Sequence, residues 1–253
     1  MMNVAHPKLV ICPSKAFAHL FTKLRGKKLL KIYIIISHYY TKPFPFFRFS
    51  FIAHKDIKTD TEQFVIHAKR ALRILAEDAI AELPSRDVTI STPCSSQDSG
   101  ILIPTSKICA ISIVRSGDAI VETLRECITG LVVGKILIQR DENSFSKSAI
   151  DLGYSKLPDL VSSFDAIFLC DPMLASGGSA VKAIDILCNK YNMREHTSKI
   201  IFVNLICCPE GLEVMAKTYP EVKIVTACID SYLNDDKYIV PGLGDFGDRF
   251  YGT

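Results

Sequence analysis

Residues 165–188 read DAIFLCDPMLASGGSAVKAIDILC. The run AIFLC at 166–170 is apolar at every position, as in a strand buried on both faces. Asp171 ends it with a charge, and Pro172, which has no N–H to give to a ladder, follows at once. Two glycines, Gly177 and Gly178, then lead into a second apolar run with a different period. Ala180, Ala183, Ile184, Leu187 and Cys188 fall on one helical face. The segment therefore reads as strand, tight loop and helix, an order that builds a cradle for an anion. Glycine lacks a Cβ, so the backbone takes positive φ and approaches a ligand closely. The N–H groups of the loop and of the first helical turn point outward, and Ser176 and Ser179 add hydroxyls. The helix dipole is worth about 0.3–2 kcal/mol. Each hydrogen bond to a charged group is worth roughly 1.5–3 kcal/mol, so direct contacts dominate the grip.

The rest of the chain repeats this alternation. The spacing predicts a helix over 59–83, opened by a Thr59/Glu62 capping box and closed by Pro84. Residues 85–107 are turn-rich, with a short strand near 88–90. Strands are then expected at 108–114, 135–139, 166–170, 200–206 and 223–229, and helices at 118–128, 179–189 and 209–219, the last with Pro209 in its first turn. Strands apolar on both faces that alternate with helices mean an α/β fold, with a mostly parallel sheet flanked by helices.

In such sheets the ligand sits beyond the carboxyl ends of the strands. The residues that follow the predicted strands include Arg115, Arg140, Asp171 and Asp230. Two arginines and two acids thus converge on one edge, beside the Gly-rich loop. No Lys follows the glycines, which excludes a Walker loop, and the Gly-x-Gly-x-x-Gly dinucleotide fingerprint is absent there.

Bulk properties narrow the class. The net charge of +3 gives no electrostatic case for general nucleic-acid binding. The nine cysteines include no Cys-x-x-Cys pair, so zinc and disulfide frameworks are poor readings and a reducing cytosol is the expected compartment. The histidines lack ligand spacing. The first residues lack the cationic start of a signal peptide. Residues 29–52 are apolar and aromatic, but Lys31, His38, Lys42, Pro43, Pro45 and Arg48 interrupt them, so no membrane span is expected.

FLCDPMLASGGSA resembles the phosphoribosyl diphosphate (PRPP) motif of type I phosphoribosyltransferases. DPMLASGGS resembles the form used in the uracil phosphoribosyltransferase family. GKILIQRDE, SKLP, IIFVNLIC and the ending YIVPGLGDFGDRFYGT resemble that family in order and spacing. The resemblance covers about 59–253, with a weaker match over 4–25. It implies a Rossmann-like sheet with a small hood built from the C-terminal segment and added strands. It also implies transfer of phosphoribose from PRPP to uracil, giving UMP and pyrophosphate. By the same resemblance the PRPP loop comprises Asp171, Pro172, Met173, Leu174, Ala175, Ser176, Gly177, Gly178 and Ser179, with Asp171 facing the ribose hydroxyls. Arg115 and Arg140 contact the pyrophosphate. Tyr238, Ile239, Gly244, Asp245 and Phe246 form the uracil site, largely through backbone groups, and Asp245 also contacts PRPP or its metal. Asp171, Arg115 and Asp245 are the expected catalytic residues. Mg²⁺ is the expected cofactor, carried on the PRPP phosphates and not by a protein cage. A homodimer or higher homo-oligomer is expected, GTP is a candidate effector, and no nucleic-acid or membrane partner is expected. Residues 141–156 are expected as a mobile arm near the site or at a dimer contact. Asp248 and Arg249 are expected to pair with each other or with a partner subunit.

The sequence departs from that family in two places. VRSGDAI differs from the usual RAGE form: Ser116 stands for Ala and Asp118 for Glu, and Ser176 stands where Thr is usual. The change around Arg115 motivates an alternative, a catalytically weak or inactive PRPP-binding regulatory homologue. Residues 27–58 have no counterpart in the resemblance. Their Ile, Tyr, Phe and Lys richness suggests a retained intron, with a genuine insertion as the rival reading. The chain is therefore divided into an N-terminal segment, 1–58, with the atypical insertion at 27–58, and a phosphoribosyltransferase domain, 59–253.

Overall fold

The computed structural model describes residues 34–36, 52, 53, 55–140 and 149–253; at 34–36, 140 and 151 it describes the backbone alone. The chain order begins with β1 (Ile34–Ile36) and α1 (Thr61–Ala81). The hairpin β2 (Arg86–Ser91) and β3 (Gln97–Leu102) follows, then β4 (Ile108–Val114), α2 (Asp118–Cys127), β5 (Val132–Arg140) and β6 (Ala149–Lys156). Next come β7 (Ala166–Cys170), β8 (Met173–Leu174), α3 (Gly178–Lys190), β9 (Ile200–Cys207), α4 (Pro209–Thr218) and β10 (Lys223–Ile229). The C-terminal segment adds β11 (Tyr232–Leu233), β12 (Ile239–Val240) and α5 (Phe246–Tyr251).

The main sheet runs β1-β10-β9-β7-β4-β5-β6, with β8 also paired to β9. Every pairing is parallel except β5 with β6. The central strands β4, β7 and β9 are buried along almost their whole length, which is why their sequences are unbroken apolar runs. Successive side chains face opposite layers. Ala110 and Phe168 join Phe64, Leu72, Leu75 and Leu124 of α1 and α2 in one core. Ile111, Ile167 and Leu169 join Ile184, Leu187 and Met215 of α3 and α4 in the other. Each such fully buried Leu, Ile or Phe contributes about 1.5–3 kcal/mol. The expected α/β sheet with flanking helices is thus the observed fold.

After β4 the chain moves to β5 on one side, then crosses back to place β7 on the other. The β4/β7 boundary is therefore the point where strand order reverses, the place where open α/β sheets bind ligands. Ser112 lies opposite Cys170 in this parallel pair. Arg115 and Asp171 consequently leave the sheet from the same edge.

Two local expectations change and a third is extended. The cap of α1 is Asp60, whose carboxylate accepts from the Gln63 amide at 2.8 Å, while Thr59 donates its hydroxyl to the Ala53 carbonyl. The short strand near 88–90 is half of an almost wholly exposed hairpin. The polar stretch at 140–159 contains the edge strand β6, with Leu152 and Tyr154 exposed. An edge strand lacks a buried second face, so it shows no continuous apolar run. Residues 141–148 of the expected arm lie outside the described residues. Among the described residues no helix is long and apolar enough to cross a membrane.

Candidate active site

The loop from β7 to α3 is fixed by backbone pairing to β9. Asp171 is half-buried; its amide donates to the Val203 carbonyl at 3.2 Å, and its carboxylate accepts from the Met173 amide at 3.3 Å. Pro172 gives no donor, but its carbonyl accepts from the Leu205 and Ile206 amides at 2.9 and 3.0 Å. Met173 and Leu174 pair as β8 with Ile206 and Cys207. The chain then turns at Gly177, with φ +83°. Gly211, in the first turn of α4, presses on this loop so closely that a Cβ there would lie 2.4 Å from the Ala175 carbonyl oxygen.

The result is a concavity lined by residues 173–180, with about 190 Å³ of open space. Gly177 supplies no side-chain acceptor to the first turn of α3. The Ser176 hydroxyl reaches the Gly178 amide only at 3.5 Å. The first amides of α3 therefore depend on groups outside the helix, as an anion-binding helix start requires.

Arg115 begins the loop after β4, and Gly117 brings that loop against β7. A Cβ on Gly117 would lie 2.2 Å from the carbonyl oxygen of Cys170, the residue before Asp171. The Arg115 guanidinium donates to Asp248 Oδ1 at 2.7 Å and to Thr253 Oγ1 at 2.8 Å, and it lies 5.5 Å from the Tyr251 ring centre. Asp118, at the start of α2, pairs with Lys135 at 2.8 Å. The backbone of Arg140 ends β5, and its side chain lies outside the described residues.

The C-terminal segment folds over this edge. β11 pairs antiparallel with β12, and Asp245 caps α5, its carboxylate accepting from the Asp248 amide at 3.0 Å. Gly244 is exposed with φ +81°. Gly247 abuts the β4 loop: a Cβ there would meet Ser116 Oγ at 2.7 Å and Arg115 Nη2 at 3.0 Å. A continuous path of close approaches thus runs from α5, through residues 115–117, to the end of β7.

The predicted residues divide by exposure. Ser176, Gly244 and Asp245 are exposed, and Tyr238 is 45% exposed. Ile239 and Phe246 are core residues. Phe246 packs edge-on to Phe64 with ring centres 5.6 Å apart and stacks on Phe250 at 5.2 Å. These two positions can offer a ligand only backbone groups.

Asp230 is buried at the end of β10, and its amide donates to the Cys207 carbonyl at 2.8 Å. It binds Lys55 Nζ at 2.6 and 2.7 Å and accepts from the Gly242 amide at 2.7 Å. Asp248 and Arg249 do not pair with each other. Arg249 donates to the Leu243 and Asp56 carbonyls and stacks over Phe64 at 4.4 Å, and burial lowers its pKa from the usual guanidinium value. Sequence reasoning missed Lys55, Asp248, Tyr251 and Thr253 as site neighbours. Their motif was visible only for the C-terminal three, inside GDRFYGT.

The chain matches the family model described as UPRTase, uracil phosphoribosyltransferase, over residues 50–253. The uracil phosphoribosyltransferase of Dictyostelium discoideum is 41% identical over 196 residues, which cover 78% of this chain and 87% of that protein. Uridine kinase-like protein 5 of Arabidopsis thaliana is 41% identical over 239 residues, 93% of this chain and 48% of that protein. The chain thus spans about half the length of that relative. The solved structure of the AQ2163 protein from Aquifex aeolicus superposes with a TM-score of 0.69 at 25% identity, covering 87% of this chain and 98% of that one.

Proposed function

The chain belongs to the uracil phosphoribosyltransferase family, and we propose that it transfers the phosphoribosyl group of PRPP to uracil, giving UMP and pyrophosphate. The observation that carries this reading is the glycine-turned anion cradle at the sheet's switch point, with Arg115 and the C-terminal segment packed against the same edge.

Cleavage of the C1′–O bond develops positive charge on the ribose and negative charge on the diphosphate. Positioning and electrostatic stabilisation meet that demand without a protein nucleophile. The first amides of α3, with Ser176 and Ser179, hold the 5′-phosphate. Asp171 accepts from the ribose hydroxyls and faces the developing positive charge. Arg115, with Arg140, receives the leaving diphosphate. Residues 172–175 shape the wall of the cradle. Uracil lies against the backbone of Ile239, Gly244 and Phe246, with Tyr238 at its edge and Asp245 between base and PRPP. Base selectivity follows from those backbone donors and acceptors, because a mismatched base leaves them unpaired.

Among the described residues no three or more His, Cys, Asp or Glu side chains gather into a metal cage. Single carboxylates fit Mg²⁺ carried on diphosphate oxygens and water. When bound, it offsets the charge of the diphosphate. Residues 59–253 form the body of the catalytic unit in this reading, the preceding segment joins it through β1 and Lys55, and the protein is a cytosolic homo-oligomer, with GTP as a candidate effector.

A second reading is a PRPP-binding homologue with little or no turnover, favoured by Asp118 and Ser116 beside Arg115. Chromatography of a reaction with PRPP, Mg²⁺ and uracil separates the two. UMP as product supports the enzyme, whereas PRPP binding without UMP supports the silent homologue.

A further inference from the structure

The carboxylate of Asp230 is buried, with its residue 7% exposed, at the carboxyl end of β10. Three elements close on it. Its own amide donates to the Cys207 carbonyl at the end of β9, at 2.8 Å. Its Oδ2 accepts the Gly242 amide at 2.7 Å. Lys55, from the segment before α1, reaches both oxygens at 2.6 and 2.7 Å, and Cys228 Sγ lies 3.3 Å from Oδ1. Gly242 is the tightest point of the C-terminal loop. Its φ is +62°, and a Cβ there would lie 2.0 Å from the Ile239 carbonyl oxygen. The next residue of the chain to be held is Leu243, whose carbonyl accepts from Arg249 at 2.8 Å. Between the β11/β12 pairing and the Arg249 bond to Leu243, the Asp230 carboxylate is the side chain that holds the Gly242 amide. Burying a carboxylate is costly unless it is paired, and Lys55 supplies the pair at both oxygens.

We propose that Lys55 and Asp230 are positioning residues for base binding: Lys55 neutralises the buried carboxylate, and the carboxylate pins the Gly242 amide, which sets the backbone of 239–246 against the incoming base. This rests on the reading of 239–246 as the uracil loop. It assigns a role to a lysine that lies 175 residues from its partner and outside every motif of the PRPP cradle. The PRPP loop has its own supports, its backbone bonds to β9 and its contact with α4, and shares with Asp230 only the backbone of Cys207. Loss of Lys55 therefore affects the base and leaves the PRPP grip in place.

The test compares the full chain with Lys55→Met and Lys55→Arg. Lys55→Met is expected to raise the KM for uracil by about 10–100-fold, as displaced reacting geometry does. The dissociation constant of PRPP with Mg²⁺, measured by calorimetry without base, is expected to change by less than about twofold, as for a distant site. Lys55→Arg keeps the charge and is expected to restore the uracil KM to within about threefold. Hydrogen exchange gives a readout independent of turnover: the Gly242 amide is expected to be protected in the wild type and to exchange faster in Lys55→Met, with the Ile111 amide of β4 unchanged. Equal losses for uracil and PRPP, an unchanged uracil KM, or an unchanged Gly242 exchange rate would each overturn the proposal. A wild type that makes no UMP while Gly242 responds to Lys55→Met would overturn the uracil reading and leave the loop clamp standing.

Discussion

Arg115 Nη2 and Asp248 Oδ1 meet at 2.7 Å, which ties the loop after β4 to the C-terminal helix α5. The two side chains are 46% and 56% exposed. An ion pair in such a setting is worth about 0–1 kcal/mol. Hydrogen bonds from Arg to a diphosphate are worth roughly 1.5–3 kcal/mol each. On the proposed reading a bound diphosphate takes Arg115 from Asp248. Asp248→Asn is expected to change the KM for PRPP by less than about fivefold. Arg115→Ala is expected to lower kcat/KM for PRPP by about 10–200-fold. Initial rates over a PRPP series check both. A loss in Asp248→Asn as large as that in Arg115→Ala would make the carboxylate itself part of the machinery.

The proposed function puts Asp171 on PRPP and Asp245 between base and PRPP. Asp171→Asn removes one charge-assisted bond and is expected to weaken PRPP use by about 10–200-fold. Asp245→Ala is expected to damage uracil use while the cooperative unfolding transition remains. Steady-state kinetics with each substrate varied in turn, beside a thermal melt, gives the comparison. Unchanged PRPP kinetics in Asp171→Asn would remove that residue from the site.

Gly177 combines a left-handed backbone with a close neighbour. Its φ is +83°, and a Cβ would lie 3.0 Å from Val214 Cγ1. A left-handed non-glycine residue costs about 1–2 kcal/mol. For a domain of this size Gly177→Ala is therefore expected to lower Tm by about 2–8 °C and to raise the KM for PRPP. Adding Val214→Ala relieves the contact but not the backbone, so the double variant recovers only part of the loss. Full recovery of Tm would mean that the side-chain clash, not the turn, sets the cost.

The thiols give a prediction with a sign. Burial raises the pKa of Cys170 and Cys207 well above the usual thiol range and pushes Cys109 and Cys208 up to about 12. The thiolate is the reactive form, so a thiol reagent on the native protein at pH 8 is expected to modify exposed Cys94 and to spare these four. Peptide mapping after labelling reads the pattern. The same groups make stability depend on alkaline pH. In the unfolded chain a thiol ionises near 9.0, while the folded thiol stays protonated. The stabilisation is complete below pH 9 and declines as pH rises from there towards 12, which chemical denaturation across that range measures.

The legible parts of the fold were those whose physics is local. Strands 108–114, 166–170 and 223–229 have the same limits in the structure as in the sequence reading. Burial on both faces leaves an unbroken apolar run, and a charge marks its end. The strand, loop and helix around 171–179 were legible because glycines, serines and a strand-ending Asp are adjacent in the chain. β6 was not, because an edge strand exposed to water alternates and reads as polar. The Thr59 cap gave way to Asp60, since neighbouring capping residues differ in sequence by too little to choose between them. The Lys55–Asp230 and Arg115–Asp248 pairs join residues 175 and 133 positions apart. Spacing along the chain carries no trace of such pairs. The second follows from the crossing of the C-terminal segment over the sheet edge and the first from the segment before α1 reaching the end of β10, which only the folded arrangement displays.

The central claim is that one edge of the sheet holds PRPP and uracil together for transfer. Pyrophosphate release by the purified protein, with PRPP and Mg²⁺, measures it directly when uracil, cytosine, hypoxanthine and orotate are supplied in separate reactions. The account predicts release with uracil alone, and none without a base. Release with another base in place of uracil, or no release with any base despite bound PRPP, would contradict it.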